Sequence, residues 1–218
     1  MGAAENYSRI RESLPDDVTI VVAAKARSAA EMADVIAAGA TVIGHNYVQE
    51  AQAARAGLGE TPGVEWHMIG HLQRNKAGRA LEVFDVFQSV DSLRLARALN
   101  DRTKAPLRVC LEVNVGDESS KTGAPFESIP ALLREVAALP SLRVEGLMAM
   151  EPYCEDPEDA RPYFRRMREL FEQLQADLPP GVRMDVLSMG MTHSYRVAVE
   201  EVANMVRIGT AVFGPRAG

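Results

Sequence analysis

The chain has 218 residues, 47% of them hydrophobic and 25% charged. That suits one globular domain over residues 1–218, since barrels run to roughly 200 to 250 residues as single domains. Its 24 Lys and Arg against 30 Asp and Glu leave a net charge of −6, which excludes an overall field that would draw nucleic acid or an anionic membrane surface and points to a small-molecule partner.

Only Cys110 and Cys154 are available as thiols, so no disulfide framework is expected and a reducing, cytoplasmic compartment fits. The N-terminus carries neither a basic segment nor an apolar stretch, Asn6 stands where a myristoylation signal takes Ser or Thr, and no run approaches the roughly 18 apolar residues of a membrane span.

Taken along the chain, short apolar or β-branched runs occur at Thr19–Ala24, Thr41–Gly44, Glu65–Gly70, Val86–Val90, Leu107–Val113, Arg143–Met148, Met184–Leu187 and Met205–Ile208. Between them, helical spacing covers Ala29–Ala38, Val48–Ala56, Asn75–Val83, Leu93–Thr103, Phe126–Leu139, Pro157–Leu178 and Tyr195–Ala203. The helix opening at Asp156-Pro157 has a capping residue followed by a proline whose missing N–H costs nothing there. Its stripe of Phe164, Met167, Leu170, Phe171, Leu174 and Leu178 faces a sheet, and the arginines at 165, 166 and 168 are expected to face water.

Strict alternation of strand and helix implies a parallel sheet, and eight such units in this length imply an α/β fold, a (β/α)8 TIM-type barrel; an open doubly wound sheet is the alternative. Both place their chemistry beyond the C-terminal ends of the strands. Polar residues and glycine gather there: Lys25, His45-Asn46, His71, Asp91, Asn114, Glu151, Ser188 to Met191, Arg207, and Gly209-Thr210.

Lys25 ends the first apolar run. An amine buried among Ala23 and Ala24 would lose its proton more readily and supply the neutral nucleophile that attacks a carbonyl; a lysine snorkelling from a strand end would show the same spacing. Ser188-Met189-Gly190-Met191-Thr192-His193-Ser194 and Arg207-Ile208-Gly209-Thr210 follow the seventh and eighth runs, where barrels often bind phosphate through glycine and hydroxyl loops. Opposite Lys25, the two loops suggest a phosphorylated carbonyl ligand. His67 and His71 lack a third ligand at a recognisable spacing, so no metal is expected. Lys121, in the loop after the fifth run, reads as a solvated loop residue; the alternatives are that it gates the rim or offers a second amine.

The segments Gly44-His45-Asn46-Tyr47-Val48-Gln49-Glu50, Trp66-His67-Met68-Ile69-Gly70-His71-Leu72-Gln73-Arg74-Asn75-Lys76, Glu145-Gly146-Leu147-Met148, Leu187-Ser188-Met189-Gly190-Met191 and Met205 through Gly214, with Lys25, give the chain a resemblance to the pyridoxal phosphate homeostasis proteins (YggS/PROSC type) over nearly its whole length. The resemblance implies a barrel similar to the N-terminal domain of alanine racemase, with pyridoxal 5'-phosphate (PLP) attached covalently to Lys25 as a Schiff base. It implies Ser188, Gly190, Gly209 and Thr210 at the phosphate, Asn46 and Met189 near the ring, and Arg207 facing the pyridine nitrogen. His45 stands where a glutamate is more usual and Ala24 where a serine is frequent.

An arginine at that nitrogen can only donate, which leaves the ring a weaker electron sink. The chain also ends four residues after Phe213-Gly214, without the β-rich second domain that supplies racemases with another base. The expectation is therefore a non-catalytic PLP carrier that stores, buffers or delivers the cofactor, with PLP-requiring apoenzymes as possible recipients. The alternatives are a PLP-dependent, racemase-like enzyme and a cofactor-free barrel aldolase acting through Lys25.

Overall fold

The computed structural model describes residues 2–118 and 122–215; Lys121 lies outside the described residues. Strands β1 (Thr19–Ala23), β2 (Val42–His45), β3 (Glu65–Met68), β4 (Val86–Val90), β5 (Leu107–Asn114), β7 (Leu142–Ala149), β8 (Val186–Ser188) and β9 (Met205–Ile208) pair in parallel with their neighbours. Pairing of β1 with β9 closes the sheet into an eight-stranded barrel, and the two-residue strand β6 (Ala124–Pro125) hangs on the end of β5. Closure removes the open-sheet alternative.

Helices α2 (Ala29–Ala37), α3 (Val48–Leu58), α4 (Ala77–Ala80), α5 (Leu93–Asn100), α6 (Ile129–Ala137), α7 (Arg161–Gln175), α8 (Tyr195–Glu200) and α9 (Thr210–Phe213) fill the connections. Three of them start later than their apolar spacing predicts: α4, which follows the 3-10 turn Arg74–Lys76, and the two that carry a proline in their first turn. Pro130 and Pro162 lack the N–H that an α-helical turn requires, so Phe126–Ser128 and Pro157–Ala160 are single 3-10 turns and the α-helices begin at Ile129 and Arg161, each with its proline second. Leu178 falls beyond the end of α7 and is exposed.

The arginines of α7 are more occupied than a solvated face would be. Arg168 and Arg165 pair with Glu201, which is 5% exposed, and Arg166 pairs with Asp117 while stacking on the Phe126 ring.

One helix escapes a strand-to-helix reading. Helix α1 (Ala3–Glu12) precedes the first strand, buries Tyr7 and Ile10, and packs against α2 and α9. Its Asn6 Nδ2 donates to Val212 O at 3.0 Å. Helix α9 has only four residues, so α1 covers the barrel wall that α9 is too short to cover. The spacing Ala3, Tyr7, Ile10, Leu14 carries the signal for it.

The apolar core divides in two. The larger part lies between sheet and helices, around Trp66, Phe87, Leu111, Leu147 and Phe164. Within the barrel the apolar part is small: Val21, Val42, Ile69 and Met205. The rest of the interior is polar, with His67, Gln88, Ser188 and Arg207 all buried. Two register shifts belong to that polar interior, one in β4 between Phe87 and Val90, and one that leaves Glu145 of β7 as the extra residue opposite Val109 and Cys110. Beside the second, Gly146 passes so close to β8 that a Cβ would lie 1.8 Å from Val186 O.

Candidate cofactor site

At the C-terminal mouth of the barrel lies a cavity of about 510 Å³. Its wall includes five of the predicted site residues: Lys25, Asn46, Arg207, Gly209 and Thr210. They come from the ends of β1, β2 and β9; β9 lies at the far end of the sequence from the other two but is adjacent to β1 in the closed sheet.

Lys25 sits in the turn after β1. It is half-buried, not enclosed by its alanine neighbours, and its Nζ lies 5.1 Å from the centroid of the exposed Tyr47 ring. The turn is tied down from α3: Ala26, in a left-handed conformation with φ 56°, donates its N–H to Glu50 Oε2 at 3.1 Å. A non-glycine residue in that conformation carries strain, which the Glu50 contact helps to hold at the position where the lysine is presented.

Ser188, Met189 and Gly190 are not on the cavity wall. Ser188 and Met189 are fully buried, and the segment is clamped to β9, with Met189 N–H donating to Met205 O at 3.1 Å and Arg207 N–H donating to Gly190 O at 3.0 Å. Gly190 has φ 89° and its Cα faces α8, where a Cβ would meet Ala198 at 2.5 Å, so this glycine serves backbone packing. Within the segment Ser188, Met189 and Gly190 lie beneath the cavity, and Met191, Thr192, His193 and Ser194 reach its wall.

Thr192 joins the two loops. Its Oγ1 accepts the Ala211 N–H at 3.2 Å, one residue beyond Thr210. Ser194 Oγ accepts the Met191 N–H at 3.0 Å and donates to Glu151 Oε1, so the segment after β8 is held both by itself and by the end of β7. Arg27 and Tyr153 also line the wall without having been singled out in sequence, and Cys154, noted there only as a thiol, joins them. For Arg27 the available signal is its place two residues beyond Lys25. It reaches Glu31 Oε1 at 3.2 Å and Gly214 O at 2.5 Å, tying the lysine turn to the end of α9.

Arg207 is 4% exposed. Its Nη1 donates to Ser188 Oγ at 2.9 Å and its Nη2 to Ala149 O at 2.6 Å, which leaves further N–H groups for a ligand. Burial lowers its pKa from the ordinary guanidinium value, and the charges of Glu151 and Glu112 act against that. Glu112, inside the barrel and hydrogen-bonded by Thr122 Oγ1, has its pKa raised by burial.

A model of the family described as alanine racemase, N-terminal domain, matches residues 3–217. The pyridoxal phosphate homeostasis protein of Pseudomonas aeruginosa is 40% identical over 98% of this chain and 94% of its own length, and that of Escherichia coli is 36% identical over 98% and 96%. The chain belongs to this family, among the pyridoxal phosphate homeostasis proteins.

Among solved structures, PipY of Synechococcus elongatus with PLP bound is 33% identical and superposes with a TM-score of 0.89 over 97% of this chain and 100% of that one. Alanine racemase of Corynebacterium glutamicum is 17% identical with a TM-score of 0.77, a likeness of fold, and this chain covers 62% of its length.

His45 and Ala24, the two positions read from sequence as departures from the family's pattern, are both buried. His45 is 1% exposed and stacks on Trp66 with ring centroids 5.7 Å apart, and burial holds its pKa down to about 4. Ala24 is fully buried. Neither lies on the cavity wall. No group of three or more His, Cys, Asp or Glu that could hold a metal ion, and no helix long and apolar enough to cross a membrane, occurs among the described residues.

Proposed function

We propose that this chain binds PLP in the barrel-mouth cavity and acts as a PLP homeostasis protein, storing, buffering or delivering the cofactor to apoenzymes rather than turning over a substrate. The observation that carries the reading is the meeting, on one wall, of the Lys25 amine, the Arg207 guanidinium and the Gly209-Thr210 and Thr192 loops. An aldehyde, a pyridine nitrogen and a phosphate call for that donor set. The volume suits a small ligand, within the roughly 300 to 1,000 Å³ usual for such sites.

When bound, PLP supplies an aldehyde that a primary amine captures and an electron-withdrawing ring. Lys25 presents the amine. Thr210 and Thr192 offer hydroxyls, and Gly209 lets the backbone come close: a Cβ there would already lie 2.9 Å from Ala23 O. Asn46 borders the ring edge. Ser188, Met189 and Gly190 act from beneath, by fixing the strand that carries Arg207.

The carrier reading is supported by Arg207 and by the names of the relatives. A buried guanidinium that already donates to two protein acceptors has no lone pair with which to take up a proton, so it meets the ring nitrogen as a donor and retains its own protons. A racemase-like enzyme would need an acid/base group held across the cavity from Lys25. Tyr153, the phenol on the wall, is 80% exposed.

The test is a near-visible absorption spectrum of the purified protein after PLP reconstitution, followed by borohydride and peptide mapping. Reduction onto Lys25, lost in Lys25→Ala, is expected. A protein that takes up no PLP, or an adduct that maps to another lysine in wild type, would overturn the site. Retained binding without turnover of amino acids separates the carrier from the enzyme.

A further inference from the structure

Behind Arg207 a chain of side chains runs the depth of the barrel. Ser188 Oγ, which accepts from Arg207, donates to Gln88 Oε1 at 2.6 Å. The same amide turns its Nε2 to His67 Nδ1 at 2.7 Å and to Met205 Sδ at 3.2 Å. His67 Nε2 lies 3.2 Å from Glu65 Oε2, and Glu65 pairs with Arg108, whose Nε donates to both carboxylate oxygens of Glu145 at 2.9 Å. Arg207 opens on the cavity, whereas Glu65, with a side chain 44% exposed, starts β3 at the opposite mouth.

The two ends assign the links a direction, because the Arg207 guanidinium can only donate and the Glu65 carboxylate only accept. An amide that accepts through Oε1 must donate through Nε2, so His67 Nδ1 carries the lone pair and Nε2 carries the proton that goes to Glu65. Donation thus runs one way, Arg207 to Ser188 to Gln88 to His67 to Glu65, and ends on a carboxylate. His67, Gln88, Ser188 and Arg207 are each 4% exposed or less, so each depends on its neighbour for hydrogen bonding. The β4 register shift between Phe87 and Val90 brackets Gln88, and the β7 shift brings in Glu145, so the middle of the chain and its Glu145 end coincide with irregularities of the sheet.

We propose that Gln88, backed by His67 and Glu65, is a positioning residue for Arg207: the one-way chain sets where the guanidinium meets the ring of the cofactor. The role rests on the PLP reading above. It assigns a function to two buried residues and one half-exposed residue away from the cavity, and it makes the ion pairs at the opposite mouth of the barrel the anchor of the ligand-facing one.

Two measurements test it. In the protein without added PLP, nitrogen-15 NMR of His67 at pH 7 is expected to show a bare Nδ1 and a protonated Nε2; the opposite tautomer would overturn the direction of the chain and with it the proposal. With PLP, Ser188→Ala is expected to weaken binding about tenfold and Gln88→Met about fivefold, the size of one lost hydrogen bond to a charged or coupled group, and both are expected to shift the bound cofactor's absorption band. The double variant should bind no worse than Ser188→Ala alone, because once the first link is cut the second has nothing to position. Multiplying effects, or an unmoved band, would mean that Gln88 only stabilises the barrel.

If Gln88→Met does not fold, Glu65→Ala at the half-exposed end replaces it, with about a twofold weakening and the same direction of band shift expected. A wild-type protein that takes up no PLP overturns the binding reading and this role together. Wild-type uptake with unaltered variants overturns the role alone.

Discussion

Ala26 donates its backbone N–H to Glu50 Oε2 across 3.1 Å, and this contact braces a left-handed, non-glycine residue beside the lysine that faces the cavity. Ala26→Gly should be tolerated and raise stability by up to about 1 kcal/mol, since glycine adopts this conformation without steric cost. Glu50→Ala should instead release the turn, lowering stability by about 1 kcal/mol and slowing capture of PLP by Lys25. Urea denaturation and the rate of appearance of the bound-cofactor band read both. Identical capture rates in Glu50→Ala and wild type would show that the turn needs no brace.

Helix α1 acts on the site from outside it. Ile10 is 5% exposed and the helix bears on α9, the element that begins at Thr210. Ile10→Ala should cost about 2 to 4 kcal/mol, as for other large-to-small changes in a packed core, and should also weaken PLP binding by loosening the Gly209-Thr210 loop. A loss of stability with unchanged PLP affinity at a temperature where the variant is folded would separate the two effects and remove α1 from the site.

His45 gives the protein an acid sensitivity of its own. Burial holds the folded pKa at about 4 against the ordinary 6.5, so the unfolded chain takes up a proton that the folded one refuses. The associated stability is present above pH 6.5 and drains away as the pH falls towards 4. His45→Phe keeps a ring over Trp66 and removes the titration. Between pH 7 and pH 4 the wild type should lose on the order of 2 to 3 kcal/mol more than this variant, by urea denaturation at both values. Equal losses would mean that the imidazole is protonated in the folded protein.

The two thiols should behave differently. Cys110 is buried inside the barrel, with a pKa pushed up to about 12 by burial, and Cys154 is half-buried on the cavity wall. Iodoacetamide should label Cys154 and spare Cys110 in the folded protein, and bound PLP should slow the labelling. Mass mapping of the adducts decides it; preferential labelling of Cys110 would contradict the packing.

The sequence by itself determined eight strands of a parallel sheet and brought Lys25, Asn46, Arg207, Gly209 and Thr210 to one end of it, while the pairing of β1 with β9 decided that the sheet closes into a barrel. The reason is local: alternation of apolar strands with amphipathic helices fixes a parallel sheet, and such a sheet exposes whatever follows each strand at one mouth. The tertiary structure alone decided that Ser188, Met189 and Gly190 brace the floor instead of lining the cavity, that α1 completes the outer layer, and that Lys25 is half-buried. It also decided the polar interior. Gln88 meets Ser188 across 100 residues of chain, and the register shifts that accompany the chain arise only when β4 pairs with β5 and β5 with β7. No periodicity within one strand encodes a contact that depends on how the barrel closes.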